Sequence, residues 1–320
     1  MIKRRVIRGA IVLTIMLALL LSIRFLATRE QENLKLPDMG GVFSVRLENL
    51  DFTTEITGML SDGVIDEVPY EEYEDVFAEV EAIPVSGGYS NKVLRWGILR
   101  KGYGETPQAD PGAPELLAKY GGVYLGDTSK KVIYLTFDEG YENGYTSKIL
   151  DVLRDNNVKA VFFITGPYLN EHEDLVRRMV EEGHVVGNHT VHHPSLPSLS
   201  DKELEEEILG LDRAFHEKFG INMKFLRPPK GEYSERTLAI TQKLGYTNLF
   251  WSFAYDDWHR DKIRGPQYAY DKVMNNLHNG AVLLLHAVSK DNADALDMII
   301  KGARERGFEF GDVNDLILEK

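Results

Sequence analysis

Residues 131–144 read KVIYLTFDEGYENG. Almost every residue from 132 to 137 is apolar or aromatic, and Thr136 is β-branched, so this short run predicts a buried strand. Asp138, Glu139 and Gly140 follow at once. Taken alone, Asp-Glu-Gly is ordinary turn chemistry. At the C-terminal end of a parallel strand, paired carboxylates are costly unless they meet a metal, a cation or a proton in transit. The rest of the chain decides between the two readings.

After Asp127 apolar strands alternate with helical stretches. Strands are expected at 160–165, 184–187, 224–226, 248–253 and 281–285, with helices at 147–157, 172–183, 234–244, 267–276 and 293–306. Ser200 begins a long acidic helix through Phe219, and Glu203 three residues on completes a capping box. Strand, loop and helix recur about seven times, which implies a barrel or a doubly wound sheet; the count favours an irregular (β/α)7-8 TIM-like barrel of α/β class. Asp138, Glu139, His189, His193, Arg227, Asp257 and His286 each fall just after an apolar strand. In a parallel barrel those strand ends meet at one rim, where active sites form. One site accounts for them together.

The 320 residues carry a formal net charge of -13, which argues against a nucleic-acid binder, whose contact face is basic. The chain has no cysteine, which excludes disulfides, a zinc ribbon, thiol catalysis and a lipoprotein anchor. No protein partner can be inferred. Lys3, Arg4, Arg5 and Arg8 precede an apolar run from Gly9 to Ile23, then Arg24 and Phe25-Leu26-Ala27. As a helix, residues 9–27 span roughly 28 Å, close to the hydrocarbon thickness of about 30 Å. The positive charges place the N-terminus in the cytoplasm and the rest outside. An uncleaved anchor is preferred to a cleaved signal peptide because no clean small-x-small site follows.

These features divide the chain into a cytoplasmic stub and transmembrane signal-anchor at 1–28, an acidic stalk at 29–125 and a catalytic domain at 126–320. The stalk carries no Lys or Arg from Leu47 to Asn91. Solvated, partly disordered chain is expected for much of it, with a small accessory module around 42–52 as the alternative. Around RWGI (95–98) and residues 102–112 it looks like an extended arm, with Trp96 available for burial against the catalytic domain.

His189 and His193 are four apart, a spacing that on one helical turn points two imidazoles the same way and suits a divalent ion. With Asp138 or Glu139 they would make a two-His, one-carboxylate set. His192 falls on another face. Arg227 precedes two prolines, which hold it rigidly enough to orient a carboxylate. A lone His286 closing AVLLLH is more often a core residue than a catalytic one.

TFDEG, HTVHHP, RPPKG, WSFAYDDW and VLLLH, in this order over residues 131–318, resemble the five motifs of the polysaccharide deacetylases (NodB-homology domains). GYENGYT, YGGVYLGDTSKK and VLLLHAVSKDNADAL look more narrowly like the delta-lactam-forming N-acetylmuramic acid de-N-acetylases of spore-forming bacteria. The resemblance implies hydrolysis of an N-acetyl group on peptidoglycan glycan strands. Asp138 would be the general base, steadied by Arg227. Glu139, His189 and His193 would bind the metal, with zinc foremost and manganese, cobalt or magnesium as alternatives. A backbone N–H near Lys230 would help hold the oxyanion, His286 would protonate the departing amine, and Tyr141, Trp258 and Leu283–Leu285 would line the substrate pocket.

Glu139 stands where the family usually has Asp, and Ala254 where it often has an acid that tunes the catalytic histidine, leaving Asp257 to take over. An N-acetylglucosamine polymer as substrate, or a silent glycan-binding protein, are the alternative functions. The implied location is the cell membrane with the catalytic domain outside, in the forespore intermembrane space for the spore-cortex branch.

Overall fold

The computed structural model describes residues 88–317; the expected anchor and the chain up to residue 87 lie outside them. An arm supplies β1 (Leu94–Arg95), β2 (Ile98–Leu99), β3 (Gln108–Ala109) and α1 (Ala113–Lys119). Next come β4 (Val132–Glu139), α2 (Thr146–Asp155), β5 (Ala160–Ile164), α3 (Gly166–Glu171), α4 (Glu173–Glu181) and β6 (Val185–Asn188). The chain continues through α5 (Asp201–Phe219), β7 (Phe225–Leu226), β8 (Glu232–Tyr233), α6 (Glu235–Lys243) and β9 (Thr247–Asn248). It closes with α7 (Pro266–Met274), β10 (Val282–His286), α8 (Lys290–Glu305) and β11 (Glu309–Phe310).

Strands β10, β4, β5, β6, β7 and β9 lie side by side and parallel, and β11 pairs with the start of β4. The sheet curls, and its two ends are joined only by isolated bridges, Phe253 to Leu283 directly and Val123 and Leu125 to Leu249 and Ala281. The parallel, barrel-like curl agrees with the irregular (β/α)7-8 barrel expected from the sequence, but it is a half-barrel whose ladder does not close. The strands β7 and β9 are two residues each, too short to carry a continuous ladder around. The strand expected over 248–253 is reduced to β9 and isolated bridges at Leu249 and Phe253.

Period-two alternation divides β4 between two cores. Ile133, Leu135 and Phe137 pack outward with Ile149, Leu150 and Leu153 of α2 and with Tyr168 and Leu169 of α3. Tyr134 packs inside the curl with Val161, Phe163, Phe225 and Val282. The strand does not stop at Phe137 but includes both acids, so Asp138 falls on the inner face and Glu139 on the helical one. The expected capping box at Ser200 and Glu203 starts α5. The single helix expected at 172–183 is preceded by the separate α3, with Pro167 in its first turn and a break at His172.

The arm packs on the same unit. β1 pairs antiparallel with β8, and Trp96 is buried among Ala113, Leu117, Tyr120, Tyr233 and Phe250. Its indole N–H donates to the Trp251 carbonyl at 2.8 Å, and its backbone N–H to the Gly231 carbonyl at 2.9 Å. Residues 94–120 thus pack against the unit that carries the sheet.

Candidate active site

Strand register brings the chemistry together. Asp138 on β4 sits directly across from His286 on β10. Asn188 on β6 sits across from Leu226 on β7, so His189 and Arg227, each one residue further, emerge side by side. The Arg227 N–H donates to the Asn188 carbonyl at 3.0 Å, and the His189 N–H to the Ile164 carbonyl at 3.0 Å. A cleft of about 840 Å³ opens over these strand ends, lined by Asp138, Tyr141, His189, His193, Lys230, Trp251, Trp258, Leu284 and His286 among others.

Arg227 is fully buried and donates from Nη1 to Asp138 Oδ1 at 2.7 Å. Its Nε donates to the Leu249 carbonyl at 3.0 Å, and its plane lies 4.2 Å over the Phe163 ring. A guanidinium held on three sides fixes the carboxylate it meets. Burial opposes the charge on Asp138, but Arg227, with His189 and His286, outweighs it and holds the carboxyl below its usual range. Asp138 is therefore an ionised base at neutral pH.

The second oxygen of Asp138 lies 3.5 Å from His189 Nε2, and His189 Nε2 lies 3.1 Å from His193 Nε2. His189 Nδ1 sits 2.8 Å from the Arg227 carbonyl, which assigns the ring proton to Nδ1 and leaves Nε2 with a lone pair. Burial lowers the pKa of His189, and burial followed by the neighbouring His189 brings His193 to about 4. Both rings are neutral, the form that ligates metals. No helical turn aligns them. Thr190 and His193 both take left-handed φ, 69° and 60°, and the His193 N–H donates to Thr190 Oγ1 at 2.9 Å. A strained non-helical loop thus does what the spacing had suggested a helix would do.

Glu139 does not join them. Its pleat position turns it toward α2 and α3, where it is fully buried and Oε2 meets Thr146 Oγ1 at 3.5 Å. Burial, then Glu142 and Asp138, raise its pKa well above the usual value. Among the described residues no three His, Asp or Glu side chains are grouped to hold an ion. The facing imidazoles fit a divalent ion as a pair, with Asp138 at their side; the third ligand expected from Glu139 does not.

On the opposite wall His286 Nδ1 lies 2.6 Å from Asp257 Oδ1, and the His286 backbone N–H donates to Asp257 Oδ2 at 2.9 Å. Burial opposes protonation of His286, but Asp257 and Asp138 prevail and raise its pKa. Trp258, 49% exposed, meets the His286 ring edge-on at 5.7 Å. Of the three leucines expected to wall the pocket, Leu284 lines the cleft, whereas Leu283 and Leu285 face the helical core. Tyr141 lines the rim with the Arg260 guanidinium 3.8 Å from its ring. His192 is paired with Glu207 at 2.7 Å.

Two contributors lie in the quoted motifs but were not singled out there. Asn292, in the first turn of α8, donates to Asp257 and to the His286 carbonyl and accepts from the Tyr255 hydroxyl. Trp251 lines the cleft and lies 5.7 Å from the Arg227 guanidinium.

The chain matches the polysaccharide deacetylase family profile over residues 125–249. It is 42% identical over 247 residues to the peptidoglycan-N-acetylmuramic acid deacetylase PdaA of Bacillus subtilis, covering 76% of this chain and 90% of that protein. The chain belongs to the polysaccharide deacetylase family. Among solved structures of the family, Bacillus subtilis PdaA, a family 4 carbohydrate esterase, superposes with a TM-score of 0.69 at 41% identity, covering 71% of this chain and 97% of that one. A peptidoglycan-N-acetylglucosamine deacetylase of Bacillus cereus is 34% identical over 196 residues, covering 60% of this chain and 70% of that protein.

Proposed function

We propose that this chain is a metal-dependent peptidoglycan N-acetylmuramic acid deacetylase, held in the cell membrane by residues 9–27 with its catalytic unit outside the cytoplasm. The observation that carries the chemistry is the cleft with an ionised, arginine-held Asp138 on one side and an aspartate-held His286 on the other. The greater identity and coverage against PdaA favour muramic acid over glucosamine.

Asp138 accepts a proton from a water molecule as its oxygen adds to the acetamide carbonyl carbon. His286, protonated because Asp257 favours its cationic form, delivers a proton to the nitrogen as the C–N bond breaks. Acetate and the free amine leave. Trp258 and Leu284 wall the acetyl group, and Tyr141 supports the sugar. A divalent ion on His189 and His193, of which zinc suits two imidazoles best, would polarise the carbonyl and acidify the water.

Purified protein should release acetate from a muramoyl oligosaccharide, and Asp138→Asn should lower that release by about 10²–10⁴ while the fold persists by circular dichroism. Release confined to N-acetylglucosamine oligomers would move the assignment to glucosamine polymers. Binding without release under any divalent ion would make the chain a glycan binder.

A further inference from the structure

The charged groups around the cleft are engaged, with one exception. Asp138 is held by Arg227, and Asp256 receives Arg264 on both oxygens at 2.9 and 2.6 Å. His286 is held by Asp257 and His192 by Glu207. Lys230 lines the same cleft and is exposed. Among the described residues its ammonium has no hydrogen bond or ion pair, and no other Lys or Arg lines the cleft. An unpaired ammonium is unremarkable on an open surface. On a concave wall of a chain with net charge -13 it is a fixed point of attraction for an anion.

The backbone strengthens this reading. Lys230 has φ 60° and ψ 7°, a left-handed conformation that glycine adopts freely and lysine does not. The turn alone would be better served by glycine, so the position keeps its side chain at a cost. Pro228 and Pro229 fix the approach, and the Gly231 carbonyl after it is tied to Trp96. Lys230 lines the same cleft as Asp138, His189 and His193, so its ammonium stands on the wall of the reacting centre.

N-acetylmuramic acid differs from N-acetylglucosamine by a lactyl ether on the carbon next to the one bearing the acetamide. A cation beside the acetamide centre is placed to meet a carboxylate on that neighbouring substituent. We propose that the Lys230 side chain reads the lactyl carboxylate and is the specificity-determining residue for muramic acid. This rests on the function proposed above.

The test compares two glycans, one with a free lactyl carboxyl and one with that carboxyl converted to its primary amide. Acetate-release kinetics and calorimetric binding are measured for the wild type, Lys230→Gln, Lys230→Arg and Arg260→Gln. The wild type should favour the free acid about tenfold in kcat/KM, chiefly through KM. Lys230→Gln should bring the ratio close to one, Lys230→Arg should restore most of it, and Arg260→Gln should leave it near the wild-type value. An unchanged ratio in Lys230→Gln, an equal fall on both glycans, or collapse of the ratio in Arg260→Gln instead would overturn the proposal. Should the wild type release no acetate from either glycan, the proposed activity fails. The calorimetric preference for the free acid, kept or lost in Lys230→Gln, then still decides the role of Lys230.

Discussion

His286 is gripped by Asp257 through both its imidazole and its backbone N–H, and Asn292 holds the far side of the same carboxylate. That grip is what overcomes burial and raises the histidine's pKa. The sign follows for catalysis: the acid form is present at low pH and is lost as pH rises through the raised value. Asp257→Asn removes the charge, so His286 deprotonates earlier and the alkaline limb of the kcat/KM profile moves to lower pH by about one unit, with kcat down about 10²-fold. A pH–rate profile that keeps its alkaline limb would contradict this. The same pair stabilises the fold, fully below the unfolded histidine's value of 6.5 and progressively less as pH rises through the folded one. His286 and Arg227 were legible because each closes an apolar run. The role of Asn292 was not, because it depends on where α8 begins in space, and its only local mark is the helix cap at Ser289.

The pleat of β4 settles what the pair of acids does. Successive residues of a strand face opposite ways, so adjacent carboxylates cannot share one site unless the strand bends between them. Here it does not, and Glu139 follows Phe137 into the helical layer while Asp138 follows Thr136 inward. The motif was visible in the sequence, but this division required knowing that the strand runs through both acids. The alternation of strands and helices was equally visible; the gap in the curl was not, since it depends on strands of two residues. The arm is the other element that sequence left open. Trp96 ties it to Gly231 and Trp251, and so to the turn carrying Lys230 and to the wall beside Arg227. Trp96→Ala empties a packed site between Tyr124 and Phe250 and removes a hydrogen bond, at a cost of about 3–5 kcal/mol. Thermal unfolding should then shift down by roughly 10 °C, with KM rising as the turn loosens. Trp96→Phe, which keeps most of the packing, should shift less; equal shifts would show that the arm is held by the hydrogen bond alone.

At the scale of the whole molecule the chain is acidic, and both a glycan wall bearing carboxylates and an anionic lipid surface would repel it. Charge alone would not keep such a protein near its polymer, so something else must. In the anchoring proposed above, the apolar run behind Lys3, Arg4, Arg5 and Arg8 would supply it, because basic residues kept in the cytoplasm set the direction in which an apolar segment inserts. Inserting an apolar run of that length would be favourable enough to outweigh repulsion between an acidic catalytic unit and an anionic surface. The full chain should therefore sediment with membranes and resist extraction by high salt, which removes only electrostatic attachment. A chain starting at residue 29 should remain in the supernatant while keeping its acetate release. Protease added to intact protoplasts should digest the catalytic unit and leave the N-terminal stub protected. Recovery of active protein from the medium, trimmed by about 30 residues at its N-terminus as expected for signal-peptide cleavage, would instead make the segment a signal peptide, and attraction to the glycan would then have to come from the cleft itself.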